Sequence, residues 1–369
     1  MVFSMTDTHK QTACLRINLN ALAANYTLLK SKVGDNTLVA GIVKANAYGL
    51  GMQPVVRTLL KNNCTHFFVA TLNEALAFRK IEPNAFIAVL GGLFIGAEQD
   101  YLDNNIHPVI NSLDDLSRWQ TLSAKQPSAL PTILHYDTGM NRLGLSQNDA
   151  KTLQSSPERL KNLDIQWVIT HFACADEKDH ALTQSQAHKF EEFAQNFPTA
   201  KRSLGNSPGT FRDVRFHTDM VRPGIALYGG NPTPETLNPM HNVVDLKAKI
   251  LQIRHCNKGD TIGYGASYKF EKDTITATIA VGYADGLNRS HSNKAIFYYN
   301  DTPCPVIGRV SMDLTTIDMT ACQTKPAQGD WVEIIGPNQS PDDLAQSANT
   351  ISYEILTSLG LRYHREYIE

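Results

Sequence analysis

The chain has 369 residues, a length that predicts two or three domains. Hydrophobic residues make up 42% and charged residues 19%, a composition that predicts a globular protein. Its 34 Lys and Arg residues against 36 Asp and Glu leave a net charge of −2, which argues against a nucleic-acid partner or an anionic membrane recognised through bulk charge. No apolar run approaches the length of a membrane span, so we expect no membrane association.

The amino terminus and the cysteines indicate the cellular compartment. Residues 1–10 contain no basic segment followed by an apolar one, so we expect no secretory signal and a cytoplasmic location. The six cysteines are widely scattered and include no C-x-x-C pair, which argues against a disulfide framework or a zinc site. We interpret them as reduced thiols and predict no metal. Cys174, close to a histidine, is the only one with a case for chemistry.

From residue 37 to 224 short apolar runs alternate with longer amphipathic segments. Most runs lack a polar alternation, as is typical of parallel strands buried on both faces. Two of the intervening segments, 52–63 and 112–125, have the apolar spacing of helices. The eight predicted strands are 37–45, 66–72, 85–90, 106–110, 132–137, 164–172, 200–205 and 217–224.

Eight strand–helix units fit either an open doubly wound sheet or a closed (β/α)₈ barrel. A G-x-G-x-x-G fingerprint and a phosphate-binding P-loop are both missing, which favours the barrel. We therefore predict an α/β class TIM-type barrel over residues 1–235. A proline-rich connector at 231–239 leads to a mostly β domain over residues 236–369, with strands at 243–253, 274–281, 295–299, 314–318 and 331–335 and a final helix at 342–359.

Polar residues follow the predicted strands at the edge where parallel α/β folds place their chemistry. They are Lys44, Arg142, His171, Ser207 and Arg222. Together they predict a pocket for a small anionic molecule with an amine nucleophile, because a lysine ending an apolar strand loses hydration and its pKa falls. Each also has a plainer interpretation: a solvated lysine, a loop-bracing or ion-paired arginine, or a structural histidine.

Motifs on both predicted domains resemble those of the alanine racemases, a pyridoxal-phosphate family with a barrel and a β domain. They occur in the family's order and cover nearly the whole chain. They lie at 43–49 (VKANAYG), 137–144 (DTGMNRLG), 170–173 (THFA), 206–207 (NS), 222–229 (RPGIALYG), 263–268 (GYGASY), 282–286 (GYADG), 308–313 (GRVSMD) and 351–354 (ISYE).

The resemblance implies roles for individual residues. Lys44 would hold pyridoxal 5′-phosphate as a Schiff base and act as the base toward the D-enantiomer. Tyr264, from the second subunit of a homodimer, would be the base toward the L-enantiomer. The other implied residues bind the cofactor (Tyr48, His171, Ser207, Arg222, Gly224, Ile225 and Tyr353), bind the substrate (Arg142 and Met312) or line the entrance (Tyr283, Tyr353, Asp176, Arg289 and Arg309).

One position departs from the family. Many members carry a lysine, often carbamylated, two residues before the D-T-G-M motif, where this chain has His135. A histidine cannot form that carbamate, so Arg142 must be positioned by a bound anion or by His135 itself. We therefore expect bicarbonate to have no effect on activity.

The resemblance implies interconversion of L-alanine and D-alanine, supplying D-alanine for peptidoglycan. The alternative is a broader racemase that also acts on serine. A barrel-type decarboxylase is a weaker rival because its cysteine-bearing motif is missing. A non-catalytic pyridoxal-phosphate carrier would lack the β domain, and a decayed site would not retain both bases and the carboxylate arginine.

Overall fold

A computed structural model describes residues 10–369. Residues 1–9, on which the absence of a secretory signal was argued, lie outside this described part. The first sheet is parallel and contains the eight predicted runs, the first of them divided at Ala40. Its strands are Leu38–Val39, Gly41–Ile42, His66–Val69, Phe86–Val89, His107–Ile110, Leu130–His135, Leu163–Ile169, Lys201–Ser203 and Met220–Val221.

The two halves of the first strand close the sheet into a barrel. Leu38–Val39 pairs with Met220–Val221, while Gly41–Ile42 pairs with His66–Val69. Between the halves, the Ala40 N–H donates to the Val221 carbonyl at 3.0 Å. The predicted barrel is therefore confirmed, and no edge of this sheet is left for another chain to pair with.

Helices follow the strands and cover the outside of the barrel, as the apolar spacing of 52–63 and 112–125 predicted. Several begin with a residue whose hydroxyl accepts a backbone N–H. An acidic residue follows three positions later, as at Thr71 and Glu74 or Ser146 and Asp149. The helices of this region are Leu19–Val33, Met52–Lys61, Leu72–Arg79, Glu98–Asp103, Leu113–Ser123, Gln147–Ser155, Ala181–Ala194 and Ser207–Arg212, with 3₁₀ turns at Pro157–Leu160, Val214–Phe216 and Ile225–Tyr228.

The second domain is mostly β, as predicted. Its central strand, Val244–Cys256, pairs antiparallel with Trp331–Ile335 and, through its second half, with Thr274–Ile279. The other strands are Ala13–Asn18, Thr261–Ile262, Tyr268–Lys269, Ile296–Tyr299, Thr302–Pro305, Thr315–Asp318 and His364–Ile368, and short 3₁₀ turns lie at Tyr264–Ala266, Tyr283–Asp285 and Arg289–His291.

The first strand of the chain lies in this second sheet and not in the barrel. Ala13–Asn18 pairs antiparallel with Val244–Cys256 and parallel with His364–Ile368. Its Ala13, Leu15 and Ile17 face the core while the residues between them are half exposed, the pattern of a strand covered on one face. The division of the sequence at 235/236 therefore misassigned this strand, because a linear boundary cannot describe a barrel inserted into another domain.

The predicted final helix over 342–359 is wrong in one respect. It is two helices, Pro341–Ser347 and Ser352–Thr357. The break comes at Asn349, whose φ of 56° is left-handed and cannot continue a right-handed helix. In the described part of the chain no helix is both long and apolar enough to cross a membrane.

Candidate active site

The first wall of the site is the turn that follows the strand Gly41–Ile42. Ala45, Asn46, Ala47 and Tyr48 all have φ between 52° and 55°, which makes a left-handed turn of four consecutive non-glycine residues. Such a conformation costs roughly 1–2 kcal/mol per residue, and strain of this kind persists mainly at functional sites. The turn directs Lys44 into a pocket, where burial and the charge of Arg142 lower the pKa of its amine.

A second wall is a cradle of backbone N–H groups around Ser207. The Ser207 hydroxyl accepts the N–H of Gly224 at 2.8 Å and of Ala226 at 3.3 Å. A Cβ at Gly224 would lie 2.1 Å from the Tyr48 hydroxyl oxygen, so only glycine lets the tyrosine approach this closely. Two hydroxyl groups thus converge where two short helical turns begin, an arrangement suited to an anion.

Arg222 and His171 form the floor. The guanidinium of Arg222 is buried and donates to the Ser203 carbonyl at 2.9 Å, to the Ser203 hydroxyl and to the Thr170 carbonyl. Burial lowers its pKa to about 10, so it remains charged at neutral pH. Burial and the neighbouring charge of Arg222 lower the pKa of His171 well below its usual value, which keeps this ring neutral.

Arg142 lies on a loop that is tied back to its own strand. The Asp137 carboxylate accepts the backbone N–H groups of Gly139, Met140 and Asn141 at 2.9–3.1 Å. The loop then returns so that the Leu145 N–H donates to the His135 carbonyl at 2.7 Å. The guanidinium of Arg142 is exposed toward the pocket on a loop whose backbone is fixed.

His135 lies beneath this loop. Its Nδ1 is 2.7 Å from the Asn111 side-chain oxygen, and the amide nitrogen of Asn111 donates to the Leu90 carbonyl at 3.1 Å. This orientation makes His135 Nδ1 the donor and leaves Nε2 as an acceptor. Burial and the charge of Arg222 lower the pKa of His135 to about 4, so it too is neutral.

An aromatic wall completes the pocket. The Tyr48 ring stacks on Tyr228, with ring centroids 4.6 Å apart, and lies 6.0 Å from the ring of Tyr353. The cavity measures about 210 Å³ and collects most of the predicted barrel residues in one place. Its lining comprises Ile42, Lys44, Tyr48, Leu90, Arg142, His171, Asn206, Ser207, Arg222, Gly224 and Tyr353.

Ile225 and Asp176 lie beside this pocket. Ile225 is buried next to Gly224, where its side chain packs against Gly230. Asp176 is exposed on the loop after Leu163–Ile169, and its backbone carbonyl accepts a hydrogen bond from Arg212 at 2.6 Å. The charge of Asp176 reaches Tyr353, where burial is the larger cause of a raised phenol pKa.

Apart from Tyr353, the predicted residues of the β domain do not line this pocket in the single chain. Tyr264 is 70% exposed and Met312 is 53% exposed. The Arg309 guanidinium lies against Gly265, while the Met312 carbonyl accepts the N–H of Ala284 at 2.9 Å. These residues, with the exposed Tyr283, thus occupy neighbouring loops of one surface, and Arg289 is exposed on a nearby 3₁₀ turn.

Cys174 lies close to two other side chains that can bind a metal, Glu177 and His180. Its sulfur, a Glu177 carboxylate oxygen and a His180 ring nitrogen lie within 4.8 Å of one another. However, His180 Nδ1 accepts the Leu182 N–H at 3.1 Å and caps the following helix. Its other nitrogen then carries the proton, so His180 offers a cation no lone pair without giving up the cap.

Sequence reasoning missed two groups that hold the site. Glu74 accepts the N–H of Ala45, and Asn111 fixes His135. The spacing of Thr71 and Glu74 is a capping-box signal that could have located Glu74 at a helix start. No local pattern marks Asn111, because its partner is 24 residues further along the chain.

Comparison with known proteins finds relatives that match both domains of the chain. Residues 17–232 match the family model "Alanine racemase, N-terminal domain" and residues 243–367 match "Alanine racemase, C-terminal domain". An alanine racemase of Rhodospirillum rubrum is 43% identical over 97% of this chain and 96% of its own length. A catabolic alanine racemase of Agrobacterium fabrum is 42% identical, over 96% and 92%.

A solved structure gives the same answer. The crystal structure of alanine racemase from Bartonella henselae, with covalently bound pyridoxal phosphate, superposes with a TM-score of 0.94 at 39% identity. The match covers 97% of this chain and 99% of that one. The chain belongs to the alanine racemase family of isomerases.

Proposed function

We propose that this isomerase interconverts L-alanine and D-alanine with pyridoxal 5′-phosphate, using Lys44 and Tyr264 as bases on opposite faces of the substrate α-carbon. One observation carries the proposal: an amine of lowered pKa enters a cavity that has an anion cradle at Ser207 and Gly224 and a buried arginine in its floor. Two bases on opposite faces are the direct way to remove a proton from one face and return one to the other, because a single base would have to act on both faces.

The chain's residues fit the cofactor. The Tyr48 and Ser207 hydroxyls converge beside Gly224, where a Cβ would clash, and together with the backbone of Gly224 and Ile225 they would hold the phosphate. Arg222 would face the ring nitrogen. When bound, pyridoxal phosphate supplies an electron sink for the charge left at the α-carbon after proton removal. An arginine that is still charged at neutral pH would disfavour protonation of that nitrogen and weaken the sink, which would limit side reactions.

Lys44 would both bind the cofactor and move a proton. Only a neutral amine can attack a carbonyl or accept a proton, and burial shifts Lys44 toward that form. The charge of Arg142 acts in the same direction. The left-handed turn at Ala45–Tyr48 gives the side chain a fixed starting point, as a group that must reach one face of one carbon requires.

Tyr264 would enter from a second copy of the chain. Its exposed ring, with exposed Met312 and Tyr283 on the adjoining loops, forms a surface with apolar content that a homodimer would cover. A phenol ordinarily titrates near pH 10, so it needs a positive neighbour to accept a proton at neutral pH. His171 is held neutral, so Arg222 is the group that would supply this charge.

The substrate carboxylate would be held by Arg142 and by the backbone of the partner's Met312. Tyr353, Tyr283, Asp176, Arg289 and Arg309 would line the entrance. Two tyrosines at the mouth favour a methyl side chain, although a pocket limited by size discriminates one small group by only about 1–3 kcal/mol. The serine alternative is not favoured, because the named relatives are alanine racemases.

We place the enzyme in D-alanine supply for peptidoglycan, in the cytoplasm. The Agrobacterium fabrum relative is named as catabolic, so the supply of D-alanine is a separate proposal from the reaction. The reaction itself is independent of that direction, because a racemase catalyses both.

Chiral chromatography tests the proposal. The purified chain, loaded with pyridoxal phosphate, is incubated separately with L-alanine, D-alanine and L-serine. We expect both alanine enantiomers to reach the same equal mixture and serine to react more slowly. A loaded protein that forms no D-alanine from L-alanine would falsify the proposal, and equal rates for serine would restore the broader-racemase alternative.

A further inference from the structure

The turn after Lys44 is held by a carboxylate from the next strand–helix unit. The Ala45 N–H donates to Glu74 Oε1 at 2.5 Å. The other oxygen of Glu74 accepts the N–H groups of Ala70 at 2.8 Å and Thr71 at 3.2 Å. One side chain therefore links the ends of two neighbouring barrel strands, Gly41–Ile42 and His66–Val69.

The contact falls at the residue where the backbone becomes left-handed. Ala45 is the first of the four residues with positive φ, and L-residues avoid this region unless the surroundings hold them there. The second residue of the turn is held as well, since the Asn46 side-chain oxygen accepts the Met52 N–H at 2.8 Å. Glu74 is thus the anchor nearest to Lys44.

Glu74 also acts on Lys44 through charge. Its carboxylate favours the protonated amine, while burial and the positive charge of Arg142 oppose it. The other ionisable group coupled to Lys44, His171, is neutral. Glu74 thus acts on Lys44 both through its charge and through the backbone of the next residue, Ala45.

We propose that Glu74 is a positioning residue that holds the left-handed turn at Ala45–Tyr48 and thereby fixes the approach of Lys44 to the pocket. The inference rests on the proposed function, because the role of Lys44 gives the positioning its catalytic meaning. The plainer role for Glu74 is capping the helix Leu72–Arg79, where it completes a capping box with Thr71.

The chain supplies a matched control for that plainer role. Asp149 completes the same kind of box with Ser146 on the helix Gln147–Ser155. One oxygen of Asp149 accepts both the backbone N–H and the hydroxyl of Ser146, at 2.9 and 2.7 Å, within its own helix start. Asp149 therefore caps without bridging to a neighbouring loop.

The sharpest variant is Glu74→Asp. Aspartate serves the same box position at Asp149 and at Asp343, so this change keeps the cap and the charge. It withdraws the carboxylate from Ala45 by one methylene. We expect kcat for alanine to fall about tenfold or more, because small displacements of a reacting group are costly. We expect KM to change by less than about threefold, since Glu74 takes no part in the proposed binding of the substrate carboxylate.

Hydrogen exchange of the cofactor-free protein provides a readout independent of activity. In Glu74→Asp, amides of residues 45–50 should exchange faster while those of the helix Leu72–Arg79 stay protected. Asp149→Asn should loosen only its own helix start and leave kcat unchanged. Glu74→Gln, which keeps the length but loses one acceptor, should resemble Glu74→Asp at residues 45–50.

The outcomes separate the two levels of the argument. If Glu74→Asp keeps the kcat of the unmodified chain and the exchange of residues 45–50, Glu74 is only a helix cap and the inference is wrong. If the unmodified chain racemises no alanine, the proposed function fails, and the exchange of residues 45–50 alone decides whether Glu74 holds the turn.

Discussion

The two halves of the proposed site differ in how complete they are within one chain. The barrel half has a buried, internally satisfied floor: Arg222 has three carbonyl or hydroxyl partners, and Asp137 holds the loop of the more exposed Arg142. The β-domain half is exposed, with Tyr264 and Met312 presented to solvent. The barrel thus brings most of the proposed cofactor pocket, to which the β domain adds Tyr353, while Tyr264 and Met312 need an opposing surface.

The halves also differ electrostatically. Burial lowers the pKa of Lys44 and Arg222 and keeps His171 and His135 neutral, so the barrel controls its own protonation states. The β-domain residues would acquire their environment only on assembly. In the proposed mechanism, folding would set the chemistry on one face of the substrate and association would set it on the other.

The largest effects should come from Lys44→Ala and Tyr264→Phe. Each single variant should lose at least about 10²–10⁴-fold in kcat, because each removes a base. If the halves come from different subunits, mixed dimers contain one intact site and one with both defects. Unfolding and refolding the two variants together should restore about a quarter of the unmodified activity. Hybrid dimers that form without any recovery would place Tyr264 in its own chain's site.

Acid should distinguish the two regions next. Burial lowers the pKa of the barrel residues His66, His107 and His135 to about 4 and that of His171 well below its usual value. In the described part of the β domain, His291 is the histidine whose pKa burial lowers, also to about 4. The unfolded chain takes up protons near pH 6.5, so these groups stabilise the fold above that pH and the contribution is lost as pH falls toward 4.

We therefore expect the thermal midpoint to drop between pH 6.5 and 4, with amides of the barrel strands losing protection before those of the second sheet. Hydrogen exchange followed by mass spectrometry at several pH values measures this order. Simultaneous loss of protection in both sheets would show that the histidine difference does not decide acid stability. A His291→Gln variant is the control and should leave the barrel's acid midpoint unchanged.

For the last comparison, bicarbonate against carbonate-free buffer, we expect no effect on activity. Since His135 is neutral and donates Nδ1–H to Asn111, bicarbonate has no amine at that position with which to form a carbamate. Initial rates in carbonate-free buffer should match those with added bicarbonate at constant pH and ionic strength. Stimulation by bicarbonate that is not reproduced by sodium chloride of equal ionic strength would contradict this interpretation of His135.

Much of the barrel half could be predicted from the sequence. Buried parallel strands have a recognisable composition, and their carboxyl ends meet at one edge, so Lys44, His171, Ser207 and Arg222 could be grouped without coordinates. The same reasoning gives Arg142 a place but not a conformation. The left-handed turn at Ala45–Tyr48 has only a weak sequence signal, because the residues that favour positive φ there are Asn46 within it and Gly49 directly after it.

The remaining features depend on distant partners. The strand Ala13–Asn18 alternates plainly, yet its neighbours are Val244–Cys256 and His364–Ile368, which no local pattern identifies. Glu74 could be assigned to a helix start but not to Ala45, since that contact crosses between two strand–helix units. Tyr264 could be connected to Lys44 only through the family resemblance.

The placement of Ala13–Asn18 has a consequence for biosynthesis. This segment leaves the ribosome before the barrel, but both of its neighbours in the sheet follow the entire barrel. At about 5–20 residues per second, it waits on the order of tens of seconds before a partner exists. Throughout that time its apolar side chains are uncovered, so the nascent chain is most exposed to aggregation, and most in need of chaperones, while the barrel is being made.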